Sequence, residues 1–249
     1  MKSLLFPLLL VCGCLTGAAQ VQLSVQGGVE MPDLTGNHSY QRQKSYRVGV
    51  HLDLPLAEHW AFRTGAQVVR KKWGTDDFVY LPEFGWDMPV ERTSHFSASL
   101  TATYLEIPLK MVATIALGKV VEFKLNGGVY VGYGLTGDMN WKRVVDLSES
   151  VDPRQRIALE NDYPKVSEHE AKTFGADNFK RFEIGPSVGA DLYLKFFYVG
   201  GGIEYSLLSM GIMPQNLHQH LMNTNGNKVM AHNFSIELHA GLRFRLGRN

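Results

Sequence analysis

The chain has 249 residues, 45% of them hydrophobic and 20% charged, with 25 Lys and Arg against 24 Asp and Glu. That composition belongs to a folded protein rather than a disordered tail, and a net charge of +1 supplies no field to gather nucleic acid or an anionic surface. Both cysteines, Cys12 and Cys14, fall near the start, so a mature exported chain would carry no disulfide.

The first element in chain order is a leader. Lys2 precedes an apolar core from Leu4 to Val11 and the small residues Gly17, Ala18 and Ala19, the layout of a secretory signal over residues 1–19 cleaved before Gln20. "VCGC" also allows acylation at Cys14, but the apolar core before it is short and "GAAQ" is the better cleavage site. Residues 20–249 read as one domain. After Gln20 no run approaches the roughly 18 to 20 apolar residues that a membrane helix needs. A chain of this kind crosses a bilayer only with strands.

Eight segments then alternate with a period of two, the signal of a half-buried strand. Val21 to Val29 alternates with Gln22, Ser24 and Gln26; Tyr46 to Leu54 alternates with Arg47, Gly49, His51 and Asp53. Trp60 to Val68 alternates with Arg63, Gly65 and Gln67, Leu105 to Met111 with Glu106 and Lys110, and Val121 to Tyr133 with Glu122, Lys124, Asn126 and Gly128. Phe182 to Leu194 alternates with Glu183, Ser187 and Asp191, following Arg181 in the same parity, and Phe197 to Leu207 alternates with Gly200, Gly202 and Glu204. The last, Phe234 to Leu246, sets Phe and Leu against Glu237, His239, Arg243 and Arg245.

Connections of hairpin size, "PLAEH", "IALGK" and "KF", alternate with long ones, the longest being residues 137–177. That link is dense in charge and turn residues and reads as a solvated loop with a short helix near residues 154–160. The expected fold is all-β: an eight-stranded antiparallel up-and-down transmembrane β-barrel with short periplasmic turns and long outer loops.

Alternation alone does not say which face is outside. Gly28, Gly49, Gly65, Gly128, Gly132, Gly134, Gly185, Gly189, Gly200, Gly202 and Gly241 share the charged parity, whereas Gly27, Gly127 and Gly201 share the apolar one. A solvated face gains nothing from glycine. A narrow lumen needs the room, so the charged face is expected inside. The interior set is Arg47, Asp53, Arg63, Glu106, Glu122, Lys124, Arg181, Glu183, Asp191, Glu204, Glu237, Arg243 and Arg245, with Lys110 beside them. Charges withdrawn from water must be paired, and these signs balance. Tyr46, Trp60, Phe62, Phe182, Phe197, Phe234 and Phe244 suit interfacial girdles.

"YLEIPLKM", residues 104–111, followed by "FKLNGGVYVGYGL" and the final "GLRFRL", resembles the outer-membrane β-barrel proteins of Bacteroidota, the PorT-like group of porin-family barrels. The resemblance implies an eight-stranded outer-membrane barrel, and some members of that group serve the type IX secretion apparatus. It carries no catalytic residues. It implies no conduction either, because about eight strands leave no continuous channel.

Three windows bear on chemistry. His95 and Ser97 share one strand face, expected toward lipid, as in a barrel enzyme that deacylates lipid, but no orienting acid accompanies them. His218, His220 and His232 lack a full metal ligand set and read as loop histidines. The loop over residues 73–95 gathers Trp73, Phe78, Tyr80, Phe84 and Trp86, which suit either an internal lid over the mouth or an anchor for a partner protein.

These readings describe a non-enzymatic outer-membrane protein without cofactor or metal. It serves either as an accessory subunit of a secretion or transport assembly or as a structural surface protein. The alternatives are a lipid-modifying barrel enzyme and a small-solute pore. Outer-membrane lipid and other outer-membrane or periplasmic secretion proteins are the expected partners; nucleic acid is not.

Overall fold

The computed structural model describes residues 20–35, 41–80, 92–147, 166–174, 180–208 and 232–246. Eleven strands are present among them: β1 (Val21–Thr35), β2 (Gln41–Arg42), β3 (Ser45–Ala57), β4 (Trp60–Tyr80), β5 (Arg92–Ala116), β6 (Val121–Thr136), β7 (Asp138–Leu147), β8 (Val166–Lys172), β9 (Phe182–Leu194), β10 (Phe197–Tyr205) and β11 (His232–Leu246). The leader, residues 154–160, Phe84, Trp86, His218 and His220 lie outside the described residues.

Eight strands close a ring in the order β4, β3, β1, β11, β10, β9, β6 and β5, with β5 returning to β4. Every neighbouring pair is antiparallel, and β1 meets β11 from Val21↔Leu246 to Thr35↔His232, so the chain's first and last strands seal the barrel. Closure satisfies both edges of each barrel strand, which a sheet in lipid requires.

The pleat sorts side chains as their alternation dictates. Ser24, Gln26 and Glu30 of β1 point inward and are buried, while Val25 and Val29 between them are exposed. The same division holds on β11, where Glu237, His239 and Arg243 are buried and Leu238, Leu242 and Phe244 are exposed. An apolar band of that extent would be a liability in water; against lipid it matches its solvent. Tyr46, Trp60, Phe182 and Phe244 are each about half exposed on the outer face, as girdle residues should be.

Two expectations are corrected beyond the rim. Residues 73–80 and 92–95 are not loop: β4 and β5 continue as a hairpin pairing as far as Tyr80↔Ser94, with a bulge between Thr75 and Phe78. Nor is the link after residue 137 wholly solvated loop. β7 replaces β6 beside β5, from Leu100↔Met139 to Arg92↔Leu147, and β8 pairs with β7. The reason is visible in "MNWK": Met139 is buried and Trp141 half-buried on one face, while Asn140 and Lys142 meet water on the other.

Candidate functional site: a layered lumen and its mouth

The lumen is stacked in three tiers because every second residue of eight staggered strands must share one narrow interior. The middle tier centres on two cations. Arg47 Nη2 donates to Glu204 at 2.8 Å and Glu30 at 3.1 Å, and the same guanidinium contacts Glu237 and lies 3.7 Å from Glu106. Lys71 Nζ lies 2.9 Å from Glu106 and bonds both oxygens of Glu183 at 3.1 and 3.0 Å. Tyr130 and Asn233 also donate to Glu183, at 2.6 and 3.0 Å, and Gln67 donates to Glu106 at 3.0 Å. Lys110 adds a third cation, 3.8 Å from Glu204. Glu30, Glu106, Glu183, Glu204 and Glu237 therefore outnumber Arg47, Lys71 and Lys110 in this tier.

Toward the short turns the two signs come into balance. Arg63 grips Asp53 through two bonds, 2.7 and 3.1 Å, and Asp191 through a third at 2.7 Å. Lys124 reaches Asp53 at 3.0 Å, and His239 shares Asp191 at 3.0 Å. Tyr193 stacks on Tyr198 at 4.6 Å between rings, and the charged ends of Lys124 and Arg243 each lie 4.6 Å from the Tyr193 ring centre. Arg243 ends the tier by pairing with Glu122.

The outer tier is apolar. Leu34, Trp73, Leu100, Tyr104, Met139 and Phe174 form one buried cluster at the mouth. Phe174 enters from the chain just after β8 and meets the Tyr104 ring edge-on at 5.5 Å. It fits only because residue 134 is glycine: a Cβ there would lie 2.3 Å from Phe174 Cζ. Trp73 thus packs inward, whereas the side chains of Phe78 and Tyr80 lie outside the described set.

Above the mouth, the outward face of β5, β7 and β8 is polar. Ser97, Ser99, Asn140, Lys142, Glu168 and Glu170 border an open cleft of about 440 Å³. Lys142 pairs with Glu168 at 3.0 Å and Lys172 with Asp138 at 2.6 Å; that hydrogen bond and charge raise the Lys172 ammonium above its ordinary range. Ser97 faces this cleft, and the backbone of His95 stands two residues away, opposite Val79 and Val144. His232 Nδ1 lies 3.1 Å from the Ser206 carbonyl, and its ring stacks on Tyr205 at 5.8 Å between centroids.

Of the residues assigned to the interior from sequence, Arg47, Asp53, Arg63, Glu106, Lys124, Glu183, Asp191, Glu204, Glu237 and Arg243 are buried together there. Glu122 is at its lower rim, with Arg245 more than half exposed beside it at 3.2 Å. Arg181 departs from the expectation. It precedes β9, is exposed, and donates to the Gly134 and Leu135 carbonyls while its guanidinium covers the Phe174 ring at 5.3 Å. Glu30 and Lys71 were missed although both continue the inward parity of their strands: Glu30 falls just past the segment ending at Val29, and before Lys71 the apolar alternation fades into Arg70.

The outer membrane protein beta-barrel domain matches residues 15–210 of the chain. None of the curated proteins matches. Among solved structures, Ail of Yersinia pestis, in complex with the heparin analogue sucrose octasulfate, shares 9% identity over 90% of this chain and 98% of that one, with a TM-score of 0.33. Neisserial surface protein A shares 8% identity over 91% of this chain and 97% of that one, with a TM-score of 0.37.

Proposed function

This chain belongs to the outer membrane protein beta-barrel domain family, and from that premise we propose that it is a non-enzymatic, non-conducting accessory subunit of an outer-membrane secretion or transport assembly. The observation that carries the reading is the division of labour along the barrel axis. The lumen is filled by buried ion pairs under an apolar cap, while β4, β5, β7 and β8 extend past the ring as a sheet with a polar outer face. A filled lumen suits neither transport of solutes nor turnover. A sheet held above the membrane suits docking, because its backbone is already ordered and little entropy is lost on association.

The finer placement in the PorT-like group of Bacteroidota rests on "YLEIPL" and on the leader, which exports the chain and is removed before Gln20. The test is gentle detergent extraction of the native protein from outer membranes, then cross-linking and identification of what travels with it. A stoichiometric partner cross-linked through residues 92–100 or 138–172 is the expected result. A lone monomer would overturn the accessory role in favour of a free-standing surface barrel.

A further inference from the structure

The short-turn rim is electrically lopsided. On one arc, the turn after β5 carries Lys119 and the turn between β9 and β10 carries Lys195, both exposed. The Lys195 amide donates to the Val120 carbonyl at 3.2 Å, which clips the two turns together, and the Arg243 amide donates to the Phe196 carbonyl at 2.6 Å, which ties the second turn to β11. Lys195 adopts φ 56°, the left-handed conformation of a tight-turn residue. Between them lies an open pocket of about 320 Å³ bordered by Lys119, Lys195, Arg243, Arg245, Glu122 and Phe196.

Glu122 is the one carboxylate bordering that pocket, and both its oxygens are engaged, by Arg243 and by Arg245. No carboxylate among the described residues pairs with Lys119 or Lys195, so the pocket keeps a positive excess. Its edge is greasy. Phe196 is 65% exposed, and Leu194, Phe244 and Leu246 continue the lipid-facing surface away from it. The other short turn supplies an internal contrast: between β3 and β4 it holds Glu58 and His59 and no lysine or arginine.

We propose that this pocket is a binding site for the headgroup of an anionic glycerophospholipid at the short-turn face of the membrane. The phosphate is held by Lys119 and Lys195, with Arg245 at the side, and the acyl chains run along Phe196, Leu194 and Phe244. A free anion would use the lysines but gain nothing from the apolar edge; a zwitterionic lipid would use the edge but bring an ammonium toward the cations. Only an anionic amphiphile satisfies both halves. The assignment is independent of the docking role, since it needs the barrel alone.

The experiment is native mass spectrometry of the full-length mature protein in detergent, titrated with phosphatidylglycerol or phosphatidylcholine. Phosphatidylglycerol adducts should dominate in the wild type, and their affinity should fall about fivefold for each lysine removed in Lys119→Gln and in Lys119→Gln/Lys195→Gln. Lys142→Gln at the opposite end, which removes the same charge, should leave the adducts unchanged. Equal binding of the two lipids, equal retention by the double variant, or an equal loss with Lys142→Gln would overturn the proposal. Complete displacement by millimolar inorganic phosphate would overturn the lipid assignment and make this a free-anion site.

Discussion

Arg47 on β3 and Glu204 on β10 meet across the lumen at 2.8 Å, although 157 residues separate them in the chain. The contact joins opposite walls, and Glu30 and Glu237 of the sealing strands converge on the same guanidinium. Arg47→Ala removes one charge and leaves three buried carboxylates underpaired, so it should cost about 3 to 5 kcal/mol. Glu30→Gln should cost a small fraction of that, because Glu30 Oε1 has no partner and its tier already holds more carboxylates than cations. Urea midpoints of the refolded barrel in micelles measure both. Equal midpoints for wild type and Arg47→Ala would mean that water, not the protein, solvates this tier.

The outward face of β11 should respond to charge according to depth. Leu238 is 55% exposed near the middle of the strand, and Leu246 is 47% exposed at its end. Leu238→Arg should cost about 2 to 4 kcal/mol of insertion stability, and Leu246→Arg about 0 to 1. The readout is the yield of heat-modifiable, membrane-inserted protein. A normal yield of the Leu238 variant would count against lipid contact at that site.

The barrel was legible in sequence because its defining pattern is local: alternation at every second residue fixes a strand, and glycine beside arginine fixes which face is crowded. All eight ring strands follow from that rule. What escaped had lost one half of the pattern. β8, "VSEHEAK", has little apolar face to alternate with, since its outward residues Glu168 and Glu170 meet water. Lys71 was hidden for a related reason: it follows Arg70 and precedes Lys72, so the run looks like a charged loop although its middle residue is fully buried. Arg181 illustrates the opposite error. It keeps the parity but lies one residue outside β9, at the mouth, where its guanidinium covers the Phe174 ring and bonds backbone carbonyls instead of joining the lumen's ion pairs.

The mouth depends on a missing side chain. Gly134→Val would place carbon 2.3 Å from the Phe174 ring, which cannot retreat without leaving Tyr104. Overpacking of this kind costs about 1 to 3 kcal/mol. Phe174→Ala in the same chain should recover part of the loss by vacating the space. A double variant no more stable than Gly134→Val would show that the two residues do not compete for one position.

Ser97 opens onto the polar cleft near Glu168 and Glu170, but a Ser–His pair also needs an acid to orient the imidazole, and the sequence around His95 supplies none. Ser97→Ala should therefore leave the acyl composition of co-reconstituted lipid A and phospholipid the same as with wild type. Lipid mass spectrometry reads this directly, and any deacylation lost with the variant would replace the non-enzymatic reading with a hydrolase.

Conductance separates the two ways in which the lumen is closed. If the apolar cap were the only barrier, Trp73→Ala/Phe174→Ala would open a path for ions. Beneath the cap, however, Lys71 is bonded to Glu183 of the far wall, and Arg63 bridges Asp53 and Asp191 one tier below. An ion entering from the mouth would have to break pairs whose partners cannot be resolvated in so narrow a space, at several kcal/mol for each group. The uncapped variant should thus remain silent in planar bilayers at voltages under which larger, water-filled porins conduct. Steady current through it would show that the middle tier is hydrated and yields to permeating ions, and the small-solute pore would become the better account.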